Sequence, residues 1–246
     1  MATWLKGTVS ANTHWTNHLF SLSVDTGPFP FIAGQFVRLG LSTEAGRIQR
    51  AYSLVNAPGN AQQAFLVSTV AEGKLSPLLQ LLQPGDMVEV SQPASGFFIL
   101  DEVPAGDNLW LMASGTGIGP FLSMLATETP YQRFAQIVLV HSVRKVDELV
   151  YQDWISRWQQ RYPGQLHYVP VVTRQPDPQT LHQRIPVLIQ NGLLFQACGQ
   201  PLNTKSQVML CGNPQMITDT KALLESMGLT KNLRRTPGNI TVEQYW

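Results

Sequence analysis

The apolar run Leu109-Trp110-Leu111-Met112-Ala113 opens into Ser114-Gly115-Thr116-Gly117-Ile118-Gly119-Pro120, a glycine-rich turn between a strand and a helix. Backbone N–H groups at such a turn suit a diphosphate, and glycines let the phosphate come close. The spacing is G-x-G-x-G-P and not G-x-G-x-x-G, so the same residues serve equally as a tight turn that binds nothing. Val140-His141-Ser142-Val143-Arg144 and Val171-Val172-Thr173-Arg174 each put an arginine just past a predicted parallel strand, at the edge where open α/β sheets take ligands. With Arg184 close behind, this set suits the 2′-phosphate of NADP, where an NAD site usually carries a carboxylate. Taken singly, each is an ordinary solvated loop arginine.

Arg50-Ala51-Tyr52-Ser53 offers a second kind of chemistry. Side chains alternate along a strand, so Arg50 and Tyr52 share a face. A cation for a diphosphate, a flat ring for an isoalloxazine and a hydroxyl near its reacting nitrogen suit a flavin nucleotide. In isolation the same residues make a half-buried strand. Cys198 and Cys211 form neither a C-x-x-C pair nor a Cys/His cluster, so an iron–sulfur or zinc site has no ligands and redox chemistry calls for an organic cofactor. His14 and His18 have i,i+4 spacing without a third ligand, and Asn239-Ile240-Thr241 reads as a chance glycosylation match.

The elements that must carry these residues follow two rhythms. Up to about residue 100, short β-rich runs (20–24, 35–41, 51–55, 65–70, 87–90) alternate with Gly/Pro/Asn clusters, as in a small antiparallel barrel. One helix is predicted over 76–83, with Ser76 as N-cap, Pro77 at its first position and Pro84-Gly85-Asp86 ending it. After Gly106 the pattern becomes strand, turn, helix: 109–113 then 120–126, 137–141, 166–173, and 208–211 then 214–227. That predicts a parallel sheet covered by helices. The expected fold is a two-domain one, an antiparallel β-barrel over 1–100 and an α/β parallel-sheet domain over 101–246, changing over at Asp101–Asp107.

Arg-x-Tyr-Ser at 50–53, Gly73-Lys74-Leu75-Ser76, the glycine-rich turn at 115–120 and Leu210-Cys211-Gly212-Asn213-Pro214 come in an order that resembles the ferredoxin (flavodoxin)–NADP⁺ reductase family along essentially the whole chain. The ending Val242-Glu243-Gln244-Tyr245-Trp246 resembles its bacterial branch, with an aromatic residue beyond the terminal tyrosine. The resemblance implies a barrel that binds FAD, an α/β domain that binds NADP(H), and a C-terminal tail that returns to the flavin. It implies that Arg50 meets the flavin diphosphate, Tyr52 packs on the ring, and Ser53 bonds near N5, with Ala51 beside them. Leu66, Val67 and Ser68 would line the flavin, and Lys74, Leu75 and Ser76 would hold its phosphates. Thr116 would lie near flavin and nicotinamide, Arg144, Arg174 and Arg184 would take the 2′-phosphate, and Tyr245 and Trp246 would stack on FAD. Cys211, with Gly212, would contact the nicotinamide, and Glu243 would lie beside Ser53 and Cys211 and govern charge or proton movement. Read from residue type alone, Cys211 is a small buried hydrophobe and Glu243 a tail carboxylate.

The implied reaction passes hydride from NADPH to FAD and electrons singly to an acidic ferredoxin or flavodoxin, met by a basic rim drawn from Arg47, Arg50, Lys74, Lys231, Arg234 and Arg235. Rival readings are an oxygenase, flavin or cytochrome reductase, and a flavin-binding subunit without turnover. A net charge of +1 in 246 residues, 13% of them charged, gives no global field toward nucleic acid or an anionic membrane. The N-terminus has no basic start followed by an apolar run and no segment reaches about 18 uninterrupted apolar residues, so a cytoplasmic protein is expected, and the lack of a heptad or large apolar stripe points to a monomer.

Overall fold

The structure is a computed structural model that describes residues 3–44, 46–175 and 177–244. Its contacts divide the chain into two compact units, Met1–Ile99 with Gly119–Thr127, and Leu100–Ile118 with Glu128–Trp246.

The first unit is a curled antiparallel sheet of β1 (Thr3–His14), β2 (Leu19–Asp25), β3 (Phe36–Thr43), β4 (Gly46–Ser53), β5 (Gln62–Ser68) and β6 (Met87–Gln92). The strand order is β4-β3-β6-β1-β2-β5. A bridge between Leu54 and Phe65, with the Val55 N–H donating to the Ala64 carbonyl at 2.9 Å, joins the two edges and removes exposed pairing groups. Inward residues at alternate positions, among them Phe20, Leu22, Leu39, Phe65 and Val90, form one core in which each is fully buried. Such burial contributes roughly 1.5–3 kcal/mol per large side chain.

Strand β1 is absent from the sequence-based elements. Its inward face carries Leu5, Gly7 and Val9, and a Cβ at Gly7 would stand 2.4 Å from Val24 Cγ1. Glycine thus occupies the position where periodicity looks for a large apolar residue. The helix α1 (Ser76–Leu81) is shorter than predicted and begins differently. Leu75 holds the N-cap position without a side-chain cap, and Ser76 Oγ instead accepts the Val70 N–H at 3.0 Å. At the other end the Asn12 amide donates to the carbonyls of Leu79, Gln80 and Leu82, satisfying groups that a helix terminus leaves open.

The helix α2 (Gly119–Leu125), which sequence rhythm groups with the later strands, clusters with the barrel. Every residue in it is buried, Phe121 lies against Phe98 at 5.6 Å, and Ser123 Oγ donates to the Asn56 carbonyl at 2.7 Å.

The second unit holds a parallel sheet of β7 (Asn108–Ser114), β8 (Gln136–Val143), β9 (Leu166–Val172), β10 (Ser206–Gly212) and β11 (Ile240–Gln244), ordered β11-β10-β7-β8-β9. The chain moves outward from β7 to β8 to β9 and then returns to the other side of β7, which makes the gap between β7 and β10 the switch point of the sheet. Around it stand α3 (Thr129–Arg133), α4 (Gln152–Arg161), α5 (Ile185–Gln190), α6 (Leu193–Cys198) and α7 (Pro214–Ser226). The central strands β7 and β10 are continuous apolar runs because both faces are covered. Trp110, Met112, Val138, Val140, Val169 and Val171 pack one face against α5, α6 and α7. Among the described residues no helix is long and apolar enough to cross a membrane.

Candidate functional site

In the second unit the C-terminal ends of β7, β8, β9 and β10 gather the predicted dinucleotide residues. The glycine-rich turn forms a short 3-10 segment, Gly115–Ile118, directly after β7. Gly115 has a φ of 54° and open space around its Cβ position, whereas a Cβ on Gly117 would meet the Cys211 carbonyl oxygen at 2.4 Å. Gly212, with a φ of 130°, closes on Ser114 in the same way, and Ser114 Oγ accepts the Asn213 N–H at 2.9 Å. The turn therefore lies across the end of β10, with Thr116 half-buried above the switch point. Asn213 starts α7 by accepting the N–H groups of Gln215 and Met216.

The two arginines beyond β8 and β9 are brought together by backbone. The Arg174 N–H donates to the Arg144 carbonyl at 2.9 Å, and Thr173 Oγ1 donates to the Val143 carbonyl at 3.0 Å. Glu148 accepts the N–H groups of Arg144 (2.8 Å) and Lys145 (3.2 Å), which shapes the loop. Among the described residues neither the Arg144 nor the Arg174 guanidinium is paired with a carboxylate, and both side chains are exposed. Arg184, also exposed, caps the start of α5, in a segment tied to β9 where the Val172 N–H donates to the Leu181 carbonyl at 2.8 Å.

Sequence reasoning passed over His141 as a functional residue. It is fully buried near the end of β8, and its ring lies 3.0 Å from the Gly115 carbonyl through Nε2. A carbonyl only accepts, so Nε2 carries the proton and Nδ1 is bare, and Nδ1 has no partner among the described residues. An unmet buried acceptor costs about 1–3 kcal/mol. Burial, partly opposed by the Gly115 bond, pulls the imidazole down to about 4, so it is neutral. A histidine directly after the apolar residues Ile137, Val138, Leu139 and Val140 of β8 was the available signal.

Cys211 and Glu243 are opposed in the parallel β10–β11 pair. Cys211 is fully buried, as is Glu243 Oε2, which has no hydrogen-bond partner among the described residues. Desolvation pushes this carboxyl from 4.5 up to about 7. Tyr245 and Trp246 lie outside the described residues. A cavity of about 450 Å³ lies elsewhere in this unit, between α7 and β11, with Lys221, Glu225, Lys231 and Val242 in its lining and none of the predicted dinucleotide residues.

In the first unit β4 presents Arg50 and Ala51 exposed, Tyr52 half-buried against the barrel core and Ser53 buried. Arg50 donates to the Gln49 carbonyl at 2.8 Å, and the Tyr52 phenol is pushed up to about 12 by burial, with Arg50 opposing, so it stays neutral. A Cβ on Gly119 would lie 4.0 Å from Ser53 Cβ, which puts the start of α2 against Ser53. The Leu54–Phe65 bridge brings the end of β4 to the run Leu66, Val67 and Ser68. Val67 and Leu75 turn their side chains into the barrel core, so only their backbone groups are available, while Lys74 is exposed.

Residues 5–99 match the family model of an oxidoreductase FAD-binding domain, and residues 111–222 match that of an oxidoreductase NAD-binding domain. The flavodoxin/ferredoxin–NADP reductase of Escherichia coli is 48% identical over 248 residues, covering all of both chains. The ferredoxin–NADP reductase of Pseudomonas aeruginosa is 35% identical, over 94% of this chain and 93% of its own. A ferredoxin NADP⁺ reductase from Neisseria gonorrhoeae, solved with FAD and NADP bound, superposes with a TM-score of 0.91 at 33% identity, over 98% of each chain. The chain belongs to the flavodoxin/ferredoxin–NADP reductase family.

In this member of the reductase family the residues present fit both cofactors. The exposed Arg50 and Lys74, the Ser76 hydroxyl and the half-buried Tyr52 ring form a donor-and-ring set suited to a flavin nucleotide. Arg144 and Arg174, with no carboxylate partner among the described residues, and a glycine-rich turn at the switch point stand at the same C-terminal edge of the sheet, a set that suits a phosphorylated dinucleotide. Of the six cations expected to meet the carrier, Arg47 and Arg234 are paired with carboxylates. Arg47 makes two 2.7 Å bonds to Glu89 and lies 4.1 Å over Trp4, and Arg234 meets Glu102 at 3.2 Å.

Proposed function

We propose that Arg50, Tyr52, Ser53, Lys74 and Ser76 hold FAD, while Thr116, Arg144, Arg174 and Arg184, with Cys211 and Gly212, hold NADP(H). The chain is an FAD-dependent oxidoreductase that links NADP(H) to ferredoxin or flavodoxin electron transfer. FAD, held by the first set of residues, would supply the redox chemistry between a two-electron hydride donor and a one-electron carrier.

What the chain contributes is position and charge. The observation that carries the reading is the backbone bond from Arg174 to Arg144, which brings together two residues whose guanidiniums have no carboxylate partner among the described residues, at the C-terminal edge of the sheet. They read the 2′-phosphate, and NADP(H) is preferred over NAD(H) for that reason. The neutral Tyr52 phenol keeps a flat, uncharged ring beside the Arg50 cation. Glu243, next to Cys211, holds its proton up to about neutral pH and can gain or lose it as charge changes nearby. Leu66 and Ser68 line the flavin by side chain, and Val67 and Leu75 by backbone. Both cofactor-binding domains lie in one chain, and the enzyme works as a monomer.

An anaerobic titration of the FAD-loaded protein with NADPH and, separately, NADH tests this, followed by addition of flavodoxin. Bleaching of the flavin bands much faster with NADPH, then recovery on adding the carrier, is the expected result. A protein that takes up no FAD, or a flavin that responds alike to both nucleotides, would overturn the assignment of these residues.

A further inference from the structure

We propose that His141 is a positioning residue for the dinucleotide, fixing through the Gly115 carbonyl the direction in which the Thr116 N–H points. The inference rests on the NADP(H) reading of this edge. Gly115 has a left-handed φ, opens the 3-10 segment, and nothing lies within 4 Å of where its Cβ would be, so no side chain packs on that side of it. A glycine so placed has several peptide orientations open to it. The Nε2–H bond at 3.0 Å selects one of them.

The Gly115 carbonyl and the Thr116 N–H belong to one trans peptide plane and point in opposite directions. Drawing the carbonyl inward to His141 therefore turns the Thr116 N–H outward, to the open side of the turn. A phosphate or carboxamide oxygen of the dinucleotide finds there a donor whose orientation was set before it arrived. His141 has no other polar partner among the described residues, with Nδ1 bare and unmet, and it directly follows the apolar residues Ile137, Val138, Leu139 and Val140 of β8. An apolar residue would pack in β8 without leaving that acceptor unmet, so the Gly115 bond is the property that only a donor supplies. Three residues further on stands Arg144, so one strand would serve both the glycine-rich turn and the 2′-phosphate.

The test uses the full-length FAD-loaded protein with His141→Leu, which removes the donor, and His141→Gln, which restores an N–H at similar reach. Calorimetric titration is done with NADP⁺ and with adenosine 2′,5′-bisphosphate, which carries the 2′-phosphate but lacks the diphosphate and nicotinamide. The Leu variant is expected to bind NADP⁺ about tenfold more weakly with bisphosphate affinity unchanged, and the Gln variant to recover most of the loss. Unchanged NADP⁺ binding in the Leu variant, or equal weakening of both ligands, would overturn the proposal. Wild-type protein that binds neither ligand would bring down the NADP(H) reading itself. Should the Leu variant not fold, ¹⁵N spectra of the wild-type imidazole decide: a proton on Nε2 and no titration between pH 5 and 9 is expected, and the opposite tautomer would refute it.

Discussion

Glu243 stands directly opposite Cys211 across the β10–β11 pair, a carboxyl with one buried, unpartnered oxygen next to a buried thiol at the ligand edge of the sheet. In a parallel pair opposed side chains leave the same face, so the two groups are neighbours. With Oε2 unmet among the described residues and burial opposing the charge, the carboxyl holds its proton more tightly than an exposed one.

That makes stability depend on pH in a definite direction. Between 4.5 and about 7 the unfolded chain has released the Glu243 proton while the folded chain still holds it, so stability falls as pH rises through this window and levels above it. Over that span the loss is at most about 3 kcal/mol. Glu243→Gln is expected to remove this part of the slope and to be the more stable protein at pH 8, as measured by urea unfolding at pH 5 and pH 8. An identical slope in wild type and variant would show that Glu243 titrates normally.

Gly117 and Gly115 sit two residues apart and are expected to respond very differently to alanine. At Gly117 a Cβ collides with backbone of Cys211 at 2.4 Å and 2.6 Å, so a strand end must move, at a cost of about 3 kcal/mol. At Gly115 the space is open, and only the left-handed backbone is penalised, by about 1 kcal/mol. Thermal melts should show several degrees lost in Gly117→Ala and much less in Gly115→Ala.

Removing Arg144 or Arg174 is expected to raise KM for NADPH about tenfold to a hundredfold, because a charge-assisted bond to phosphate contributes about 1.5–3 kcal/mol. Oxidation of NADH should hardly change, so the ratio of kcat/KM for the two nucleotides is the quantity to follow. If Arg144→Ala slowed both nucleotides equally, the guanidinium would not be reading the 2′-phosphate.

Among the rim cations Arg47 and Arg235 make a contrasting pair. Reversing Arg235 to Glu is expected to slow flavodoxin reduction at low salt, with the difference vanishing above about 0.5 M, where charges are screened within a few ångströms. Reversing Arg47 removes its bonds to Glu89 and its place over Trp4, and is expected to lower barrel stability while leaving the salt dependence as it was. Stopped-flow rates over a salt series and thermal melts separate the two effects.

From the sequence alone the two architectures were readable, since strand periodicity and turn residues act locally: the β-rich runs before residue 100, the buried strands β7, β8, β9 and β10, and the turn at 115–120. Arg144, Arg174, Tyr52 and Cys211 could be named as candidates only from their order and spacing and from the family resemblance, since taken singly they are loop cations, a strand tyrosine and a small buried hydrophobe. Tertiary structure decided the rest. Strand β1 hides behind Gly7, whose smallness is demanded by Val24 from another strand, and β11 is a polar tail that becomes a strand only by pairing with β10. Arg47 reads as a free cation until Glu89, 42 residues away, is found against it. The physical settings of His141, Gly117 and Glu243 are not local. Each is defined by a group distant in sequence, the Gly115 carbonyl, the Cys211 backbone and a desolvating surround, and such forces act only once the chain has brought those groups within a few ångströms.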